Sequence, residues 1–315
     1  MNNTKNNIPI VFCFDDNLIM PAGICISSLL ENAKPSTFYD IYILHNEGCK
    51  YPKSGYLERL FSQFVNFKIN YRNVGDAFRD AFEIRGITVS AYYRLLIPEI
   101  IPEYKTIFYF DVDIIFRNDL SEFYESCDLT GYYIGGVSTP YSDISDYIES
   151  VMNTRPDQYI CSGTLLINSK LIREDQVIHQ FKNAATKNWK YQDQDIINIV
   201  CKDKIKFLQP WFGVIGTISE IISDTRQIYY SKEEVEFAIQ YGTIHYNGAK
   251  PWRQFCYNFD IWWEYYRRSV YFDSKFYFDF YHSKQSDLDT LTLSKRIKLL
   301  AKYFFKGRKK ALYES

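Results

Sequence analysis

The sequence predicts an α/β fold built on a mostly parallel β-sheet. In the first third of the chain, short apolar runs of strand length alternate with segments of helical character. Strands that alternate with helices are joined by right-handed crossovers, which make the strands parallel and cover both faces of the sheet. Acidic residues follow two of the apolar runs, at Asp15-Asp16 and at Asp111/Asp113. Because ligands bind beyond the carboxyl ends of parallel strands, both positions are candidates for a binding site.

The predicted elements follow from short patterns along the chain. Apolar runs predict strands, and a longer apolar stretch after Pro21 predicts the first helix. Ser231 and Glu234 have the spacing of a helix-capping box. The predicted strands are 8–14, 39–45, 65–71, 106–110, 132–137 and 160–167. The predicted helices are 21–30, 56–64, 171–185, 195–201 and 231–240.

The composition excludes several classes of protein. The chain has 315 residues, of which 46% are hydrophobic and 24% charged, as in a soluble globular protein. A net charge of -1 provides no positive field, so we expect no nucleic-acid partner. The seven cysteines are scattered without a Cys-x-x-Cys pair, which argues against a zinc finger and favours a reducing, cytoplasmic location. The N-terminus has no signal-peptide pattern.

Asp111 and Asp113 form an Asp-x-Asp motif directly after the predicted strand 106–110. Side chains two residues apart on an extended chain share a face, so the two carboxylates can converge while Val112 points away. Converging carboxylates repel each other unless a cation lies between them, and Mg²⁺ or Mn²⁺ prefers such oxygen ligands. Solvated acids in a turn give the same pattern, so the motif alone leaves both interpretations open.

Two further segments carry candidate binding residues. Asp15, Asp16 and Asn17 end the first predicted strand, where a nucleotide's base or ribose lies in an open parallel sheet, although turns also favour these residue types. The segment from His245 to Lys250 combines a histidine, a glycine that permits close backbone approach and a lysine that can offset phosphate charge. Each of these residues alone is also compatible with a structural role.

Taken in order, these motifs resemble glycosyltransferase family 8, the retaining enzymes that include bacterial lipooligosaccharide galactosyltransferases and glycogenin. The resemblance runs from about residue 8 to 252 and includes the segments 90–99, 162–168 and 191–195. It implies a Rossmann-like nucleotide-sugar-binding domain of the GT-A type with a helical C-terminal extension. It also implies a metal-dependent hexosyltransferase that moves glucose or galactose from a UDP-sugar, with Mn²⁺ or Mg²⁺ as cofactor. The implied acceptor is a glycan or lipid-linked saccharide of a bacterial cell envelope.

The resemblance assigns roles to individual residues by their place in the motifs. The residues that match the metal ligands are Asp111, Asp113 and His245. Those that match the nucleotide, diphosphate and sugar contacts are Asp15, Asp16, Asn17, Arg94, Ser162, Gly248 and Lys250. The candidate catalytic residues near the anomeric carbon are Gln194 and Asp193.

Three positions depart from the family's pattern. Leu18 stands where many members have a tyrosine against the uracil ring, and Cys161 stands where an asparagine usually precedes the small residue and the glycine. One residue instead of two separates Gly248 from Lys250. The alternative function is therefore a catalytically impaired protein of the same fold that binds a nucleotide sugar. A haloacid dehalogenase type phosphatase is less compatible, because its Asp-x-Asp lies near the N-terminus and precedes a threonine.

The predicted domains differ in composition. We expect residues 1–255 to form the catalytic domain, with a nucleotide-binding half (1–113) and an acceptor- and sugar-binding half (114–255), and residues 256–315 to form an aromatic and basic helical extension. The stretch from Lys295 to Lys310 has eight basic residues and no acidic one, with apolar residues at helical spacing. It predicts a helix that contacts the anionic inner face of the plasma membrane, with a solvated terminus as the alternative.

Overall fold

The computed structural model describes residues 7–84, 88–138, 144–215 and 230–306. The chain separates into two compact units, Met1–His245 and Tyr246–Ser315. The first unit holds all the described strands, and the described regular structure of the second unit consists of helices. The domain limits expected from the sequence, at residues 113 and 255, stay predictions.

Ten strands are described, and seven of them form a central sheet. In chain order they are β1 (Asn7–Cys13), β2 (Phe38–His45), β3 (Phe67–Asn73), β4 (Ile107–Phe110), β5 (Ile114–Ile115), β6 (Ile134–Ser138), β7 (Ile160–Ile167), β8 (Ile205–Phe207), β9 (Val214–Ile215) and β10 (Ile244–His245). The sheet order is β3-β2-β1-β4-β7-β6-β8. Its pairs are parallel except for β7, which runs antiparallel to β4 and β6. The sheet is therefore mostly parallel, which confirms the predicted α/β fold class.

The inner strands of the sheet are buried on both faces. β1 is buried from its second residue onward, and β4 and β7 are buried throughout. Because consecutive side chains of a strand point to opposite faces, uninterrupted burial means that both faces are covered. This explains why these strands are continuous apolar runs in the sequence instead of alternating patterns.

Eleven α-helices are described. They are α1 (Ile19–Glu31), α2 (Ile97–Ile100), α3 (Ser121–Ser126), α4 (Ser145–Ser150), α5 (Ser169–Glu174), α6 (Val177–Ala184), α7 (Gln192–Val200), α8 (Lys232–Tyr241), α9 (Phe259–Arg268), α10 (Ser274–Asp289) and α11 (Leu293–Lys306). The predicted capping box is present at the start of α8. The prediction of one helix over 171–185 is wrong, because Gln176 adopts a left-handed conformation (φ 55°) that separates α5 from α6.

A second, three-stranded sheet has the order β5-β10-β9. Its first strand begins shortly after β4, so it lies at the carboxyl end of a central strand. β10 pairs antiparallel with β5, with His245 opposite Ile114. This pairing brings the end of the first unit next to the segment that follows the Asp-x-Asp motif.

Aromatic rings form the core of the second unit. Trp262 and Trp263 on α9 are fully buried, and the ring of Trp263 lies 4.7 Å from that of Phe280 on α10. The indole N–H of Trp263 donates to the carbonyl oxygen of Pro251 over 3.0 Å. Within the described part of the chain, no helix has the length and apolar character needed to cross a membrane.

Candidate functional site

The Asp-x-Asp motif lies between β4 and β5, at the carboxyl end of β4. The backbone N–H of Asp111 donates to the carbonyl oxygen of Gly163 on β7 over 2.8 Å, which extends the β4–β7 pairing past the end of β4. Val112 is 3% exposed, whereas Asp111 and Asp113 are partly exposed. This is the alternation that an extended chain produces, with both carboxylates away from the core.

His245 on β10 lies against both carboxylates. Its Nε2 is 3.2 Å from Oδ1 of Asp113 and 3.7 Å from Oδ2 of Asp111. One ligand atom from each of the three residues lies within 4.8 Å of the others. Burial lowers the pKa of His245, but Asp113 and its other neighbours outweigh this effect and raise the pKa to about 10. The negative charge that favours a proton on this ring also favours a cation beside it.

Gly163 leaves the space in which this cluster forms. A Cβ atom at residue 163 would lie 2.3 Å from Cε1 of His245 and 2.6 Å from Oδ2 of Asp111. The imidazole and the carboxylate therefore meet here only because residue 163 has no side chain. Two carboxylates and one imidazole nitrogen form a mixed donor set that is compatible with a divalent ion such as Mn²⁺. The three residues fit a divalent metal ion.

Arg94 is buried behind the carboxylates, on the 3-10 helix Val89–Leu96. Its Nη2 donates to Oδ1 of Asp111 over 2.9 Å, and its Nε lies 3.2 Å from Oδ2 of Asp193. Its Nη1 donates to the carbonyl oxygen and to the hydroxyl oxygen of Ser162. Burial lowers the pKa of Arg94, but the negative charges of Asp111 and Asp193 raise it by more, so the side chain stays charged. Arg94 thus joins three of the predicted site residues.

Both candidate catalytic residues lie in the first turn of α7. Asp193 is 5% exposed and faces Arg94, whereas Gln194 is partly exposed. Burial raises the pKa of Asp193 to about 6, and Arg94 acts in the opposite direction. The Oε1 atom of Gln194 accepts a hydrogen bond from the backbone N–H of Ser162 over 3.2 Å. The start of α7 is therefore tied to β7 next to the metal-ligand cluster.

Two buried polar residues fix α7 in this position. The carboxylate of Asp195 accepts hydrogen bonds from the hydroxyl groups of Tyr147 and Tyr159. The amide of Asn198 bonds to both the N–H and the carbonyl oxygen of Ile160, at 2.8 and 2.9 Å. Asn198 therefore bonds to the first residue of β7 as a neighbouring strand would, and it sets the position of the residues that follow.

The predicted nucleotide-binding residues follow β1, the parallel neighbour of β4. Asp15 accepts a hydrogen bond from the N–H of Asn17 over 2.9 Å and begins the 3-10 helix Asp16–Leu18. The carboxylate of Asp16 accepts from the backbone N–H groups of Lys50 and Tyr51, both at 2.9 Å. Asp16 thus links the segments that follow β1 and β2, and Asn17 is exposed.

Gly248 and Lys250 belong to the second unit. Gly248 has a φ of 130°, which L-residues rarely adopt. The Nζ of Lys250 donates to the carbonyl oxygen of Tyr246 over 2.8 Å. In the first unit the structure brings together seven predicted site residues: Asp111, Asp113, His245, Arg94, Ser162, Asp193 and Gln194. Their roles, and those of the other predicted site residues, stay predictions.

Sequence reasoning missed two contacts of the cluster. The hydroxyl of Tyr109 donates to Oδ1 of Asp111 over 2.5 Å, and the guanidinium of Arg94 lies over its ring. The signal was present, because residues two apart on a strand share a face. The Sγ of Cys161 lies 3.7 Å from Nδ1 of His245. This contact joins residues distant in sequence, and no local pattern predicts it.

The chain is similar to known glycosyltransferases. A profile described as glycosyl transferase family 8 matches residues 9–256. A putative glycosyltransferase of Haemophilus influenzae is 29% identical over 140 residues, which are 43% of this chain but only 42% of that relative. A lipopolysaccharide 1,2-glucosyltransferase of Escherichia coli K12 is 23% identical over 270 residues, 81% of this chain and 75% of that relative.

Solved structures share the fold. The WbbM bifunctional glycosyltransferase has a TM-score of 0.72 at 22% identity, over 88% of this chain and 52% of that one. The galactosyltransferase LgtC, solved in complex with donor and acceptor sugar analogues, has a TM-score of 0.69 at 21% identity, over 85% of this chain and 98% of that one. These similarities confirm the GT-A fold. Because the family profile matches most of its length, the chain belongs to glycosyl transferase family 8.

Proposed function

We propose that the protein moves a hexose from a UDP-sugar to a glycan, with retention at the anomeric carbon and with dependence on Mn²⁺ or Mg²⁺. The observation that carries the proposal is the cluster of Asp111, Asp113 and His245, whose ligand atoms lie within 4.8 Å of one another. The names of two similar proteins, a lipopolysaccharide glucosyltransferase and a galactosyltransferase, support glucose or galactose as the donor sugar. The first name also supports a cell-envelope saccharide as the acceptor.

The site must stabilise the negative charge that gathers on the diphosphate as the bond between sugar and oxygen breaks. A divalent ion held by Asp111, Asp113 and His245 would supply positive charge for this purpose. Arg94 orients Asp111 by bonding to its Oδ1, which leaves Oδ2 directed towards His245. We assign to Lys250 a second positive charge near the phosphates. Gly248 would allow the backbone to approach them closely.

We assign the donor sugar to the first turn of α7. Retention requires either a nucleophile on the opposite face of the sugar or same-face attack by the acceptor while the donor is held rigidly. We propose Gln194 and Asp193 as the residues that act as this nucleophile or hold the donor. The backbone N–H of Ser162 holds the side chain of Gln194 in place, and Arg94 holds that of Asp193. Ser162 would contribute to the sugar contacts, and Asp15, Asp16 and Asn17 would bind the uridine beyond the end of β1.

Purified protein with Mn²⁺ is expected to release UDP from UDP-glucose or UDP-galactose. The reason is that a divalent ion held by the cluster would stabilise the negative charge of the leaving diphosphate. The measurement is UDP formation with Mn²⁺, with Mg²⁺ and with a chelator, across the common uridine and guanosine sugar donors. The proposed transferase activity is refuted if none of these donors gives a nucleotide product above background. Donor binding without turnover in the same samples would support the alternative, a binding protein of the same fold.

We further propose that α11 attaches the protein to the inner face of the plasma membrane, from the cytoplasm. The apolar residues of α11 that face solvent, with 57 to 77% exposure, are Leu293, Ile297, Leu300 and Phe304. Lys295, Arg296 and Lys298 are exposed beside them. Each basic residue near an anionic surface contributes about 1 kcal/mol to binding. Arg308, Lys309 and Lys310 of the predicted basic stretch lie outside the described residues.

Wild-type protein is expected to sediment with anionic liposomes and not with neutral ones. Replacing Lys295, Arg296 and Lys298 by Glu is expected to weaken this binding at least about a hundredfold, because three attractive charges of about 1 kcal/mol each become repulsive. The control has the same change of charge on exposed lysines of the first unit, namely Lys170, Lys182 and Lys187. Equal losses in both triple variants, or no preference for anionic lipid, would leave α11 as a solvated terminus.

A further inference from the structure

The two nitrogens of the His245 ring have different surroundings. Nε2 faces the carboxylates of Asp113 and Asp111, at 3.2 and 3.7 Å. Nδ1, on the other side of the ring, lies 3.7 Å from the Sγ of Cys161. His245 is 4% exposed and Cys161 is 2% exposed, so water has little access to this contact. In a buried ring each nitrogen needs a partner, because an unmatched polar atom carries its full desolvation cost.

The sulfur of Cys161 is held in place from several directions. The backbone N–H of Gly163 donates to it over 3.5 Å. The preceding residue, Ile160, is bound through both its N–H and its carbonyl oxygen by the side chain of Asn198. The following residue, Ser162, accepts hydrogen bonds from Arg94. The short segment 161–163 therefore sits rigidly between β4 and α7, and the thiol is presented to the ring in a fixed position.

We propose that Cys161 is a positioning residue for His245: its sulfur accepts the hydrogen bond of Nδ1–H, fixes the ring and leaves Nε2 for a divalent ion. The inference rests on the proposed function, since it concerns the same metal site. Histidine ligands commonly donate their second N–H to an acceptor that sets the tautomer and the orientation of the ring. That acceptor is usually a carboxylate, a carbonyl or water, whereas here the structure offers a thiol, which is a weaker acceptor.

Cys161 lies beside His245 but outside the set of metal ligands. Sγ lies on the Nδ1 side of the ring, opposite the side that faces Asp111 and Asp113. The thiol therefore supports the histidine without joining the cluster. Because Gly163 N–H and His245 Nδ1 converge on one sulfur, that atom acts as an acceptor for both. Removing it would free the ring to rotate about its side-chain bonds and would leave Nδ1–H buried without a partner.

The test measures Mn²⁺ binding directly, by the loss of the free-ion signal in electron paramagnetic resonance. Cys161→Ala is expected to raise the Mn²⁺ dissociation constant about tenfold to a hundredfold, the range found when the partner of a ligating histidine is removed. Cys161→Ser is expected to bind more tightly than Cys161→Ala, because its hydroxyl oxygen can still accept. Cys201→Ala is the matched control, since Cys201 is a fully buried thiol at the end of α7. It is expected to keep the wild-type constant.

A second measurement separates positioning from packing. The chain has only four histidines, so ¹⁵N-histidine labelling gives few ring resonances, and that of His245 is the one absent from His245→Ala. In wild-type protein without metal, its Nδ1–H resonance is expected to be protected from exchange. Cys161→Ala is expected to shift it and to speed its exchange, whereas Cys201→Ala is expected to leave it unchanged.

The outcomes distinguish this inference from the proposed function. If wild-type protein binds Mn²⁺ and Cys161→Ala binds it equally well, the inference is overturned and the proposed metal site stands. An Nδ1 resonance unaffected by Cys161→Ala overturns the inference whether or not the protein binds metal. If wild-type protein binds no Mn²⁺, the proposed metal dependence fails, and the positioning role fails with it.

Discussion

Asp111→Asn, Asp113→Asn and His245→Ala are each expected to reduce metal-dependent turnover by about a hundredfold to a thousandfold, roughly 3 to 4 kcal/mol of transition-state stabilisation. Each change removes one donor from a set whose ligand atoms lie within 4.8 Å of one another. The measurements are the initial rate of UDP release at saturating Mn²⁺ and the Mn²⁺ dissociation constant of each variant. We expect the loss to appear in both.

The two asparagine variants are expected to melt close to the wild-type temperature without metal. Asparagine keeps the size and one acceptor oxygen of the aspartate that it replaces, and Arg94 keeps its contact with Asp193. The control is Asp175→Asn, which neutralises the carboxylate directly after α5. This residue follows the carboxyl end of β7, whereas the site lies at the start of that strand. Its turnover is expected to stay near wild type. Full activity in all three site variants would mean that the reaction uses no metal at this cluster.

The sequence was sufficient for those parts of the fold and site that depend on neighbouring residues. β7 was predicted with its observed limits, because an apolar run of eight residues inside a buried sheet is a local signal. The convergence of Asp111 and Asp113 also depends only on the alternation of an extended chain. His245 entered the candidate set through a motif, and the structure brings its ring to the carboxylates by pairing β10 with β5.

Other features arise from contacts between distant segments, which no local pattern encodes. Arg94 was expected near the diphosphate from its motif alone, yet it is 6% exposed and bound to Asp111, Ser162 and Asp193. Its surroundings come from three separate parts of the chain, so its burial could not be predicted from the residues beside it. The division between α5 and α6 was missed because left-handed Gln176 carries no glycine signal.

Gly163→Ala is expected to cost about as much activity as the loss of a metal ligand, although residue 163 has no side chain that could bind anything. The added Cβ atom would lie 2.3 Å from Cε1 and 2.9 Å from Nε2 of His245, and 2.6 Å from Oδ2 of Asp111. Carbon atoms in contact are normally about 3.5 to 4.0 Å apart, so the ring and the carboxylate must both move. We expect at least a tenfold weaker Mn²⁺ affinity and at least a hundredfold slower turnover.

The position of the clash decides what this variant changes. Overpacking in a buried site costs about 1 to 3 kcal/mol of stability, so some decrease in melting temperature is expected as well. Gly135→Ala on β6 is the matched control, because the three atoms nearest to its added Cβ all belong to the side chain of Leu208, the first at 3.1 Å. That variant is expected to lose stability while its Mn²⁺ affinity stays within about twofold of wild type. If Gly163→Ala bound Mn²⁺ as wild type does, Asp111 and His245 could not be acting together on one ion, because the methyl group would occupy the space in which they meet.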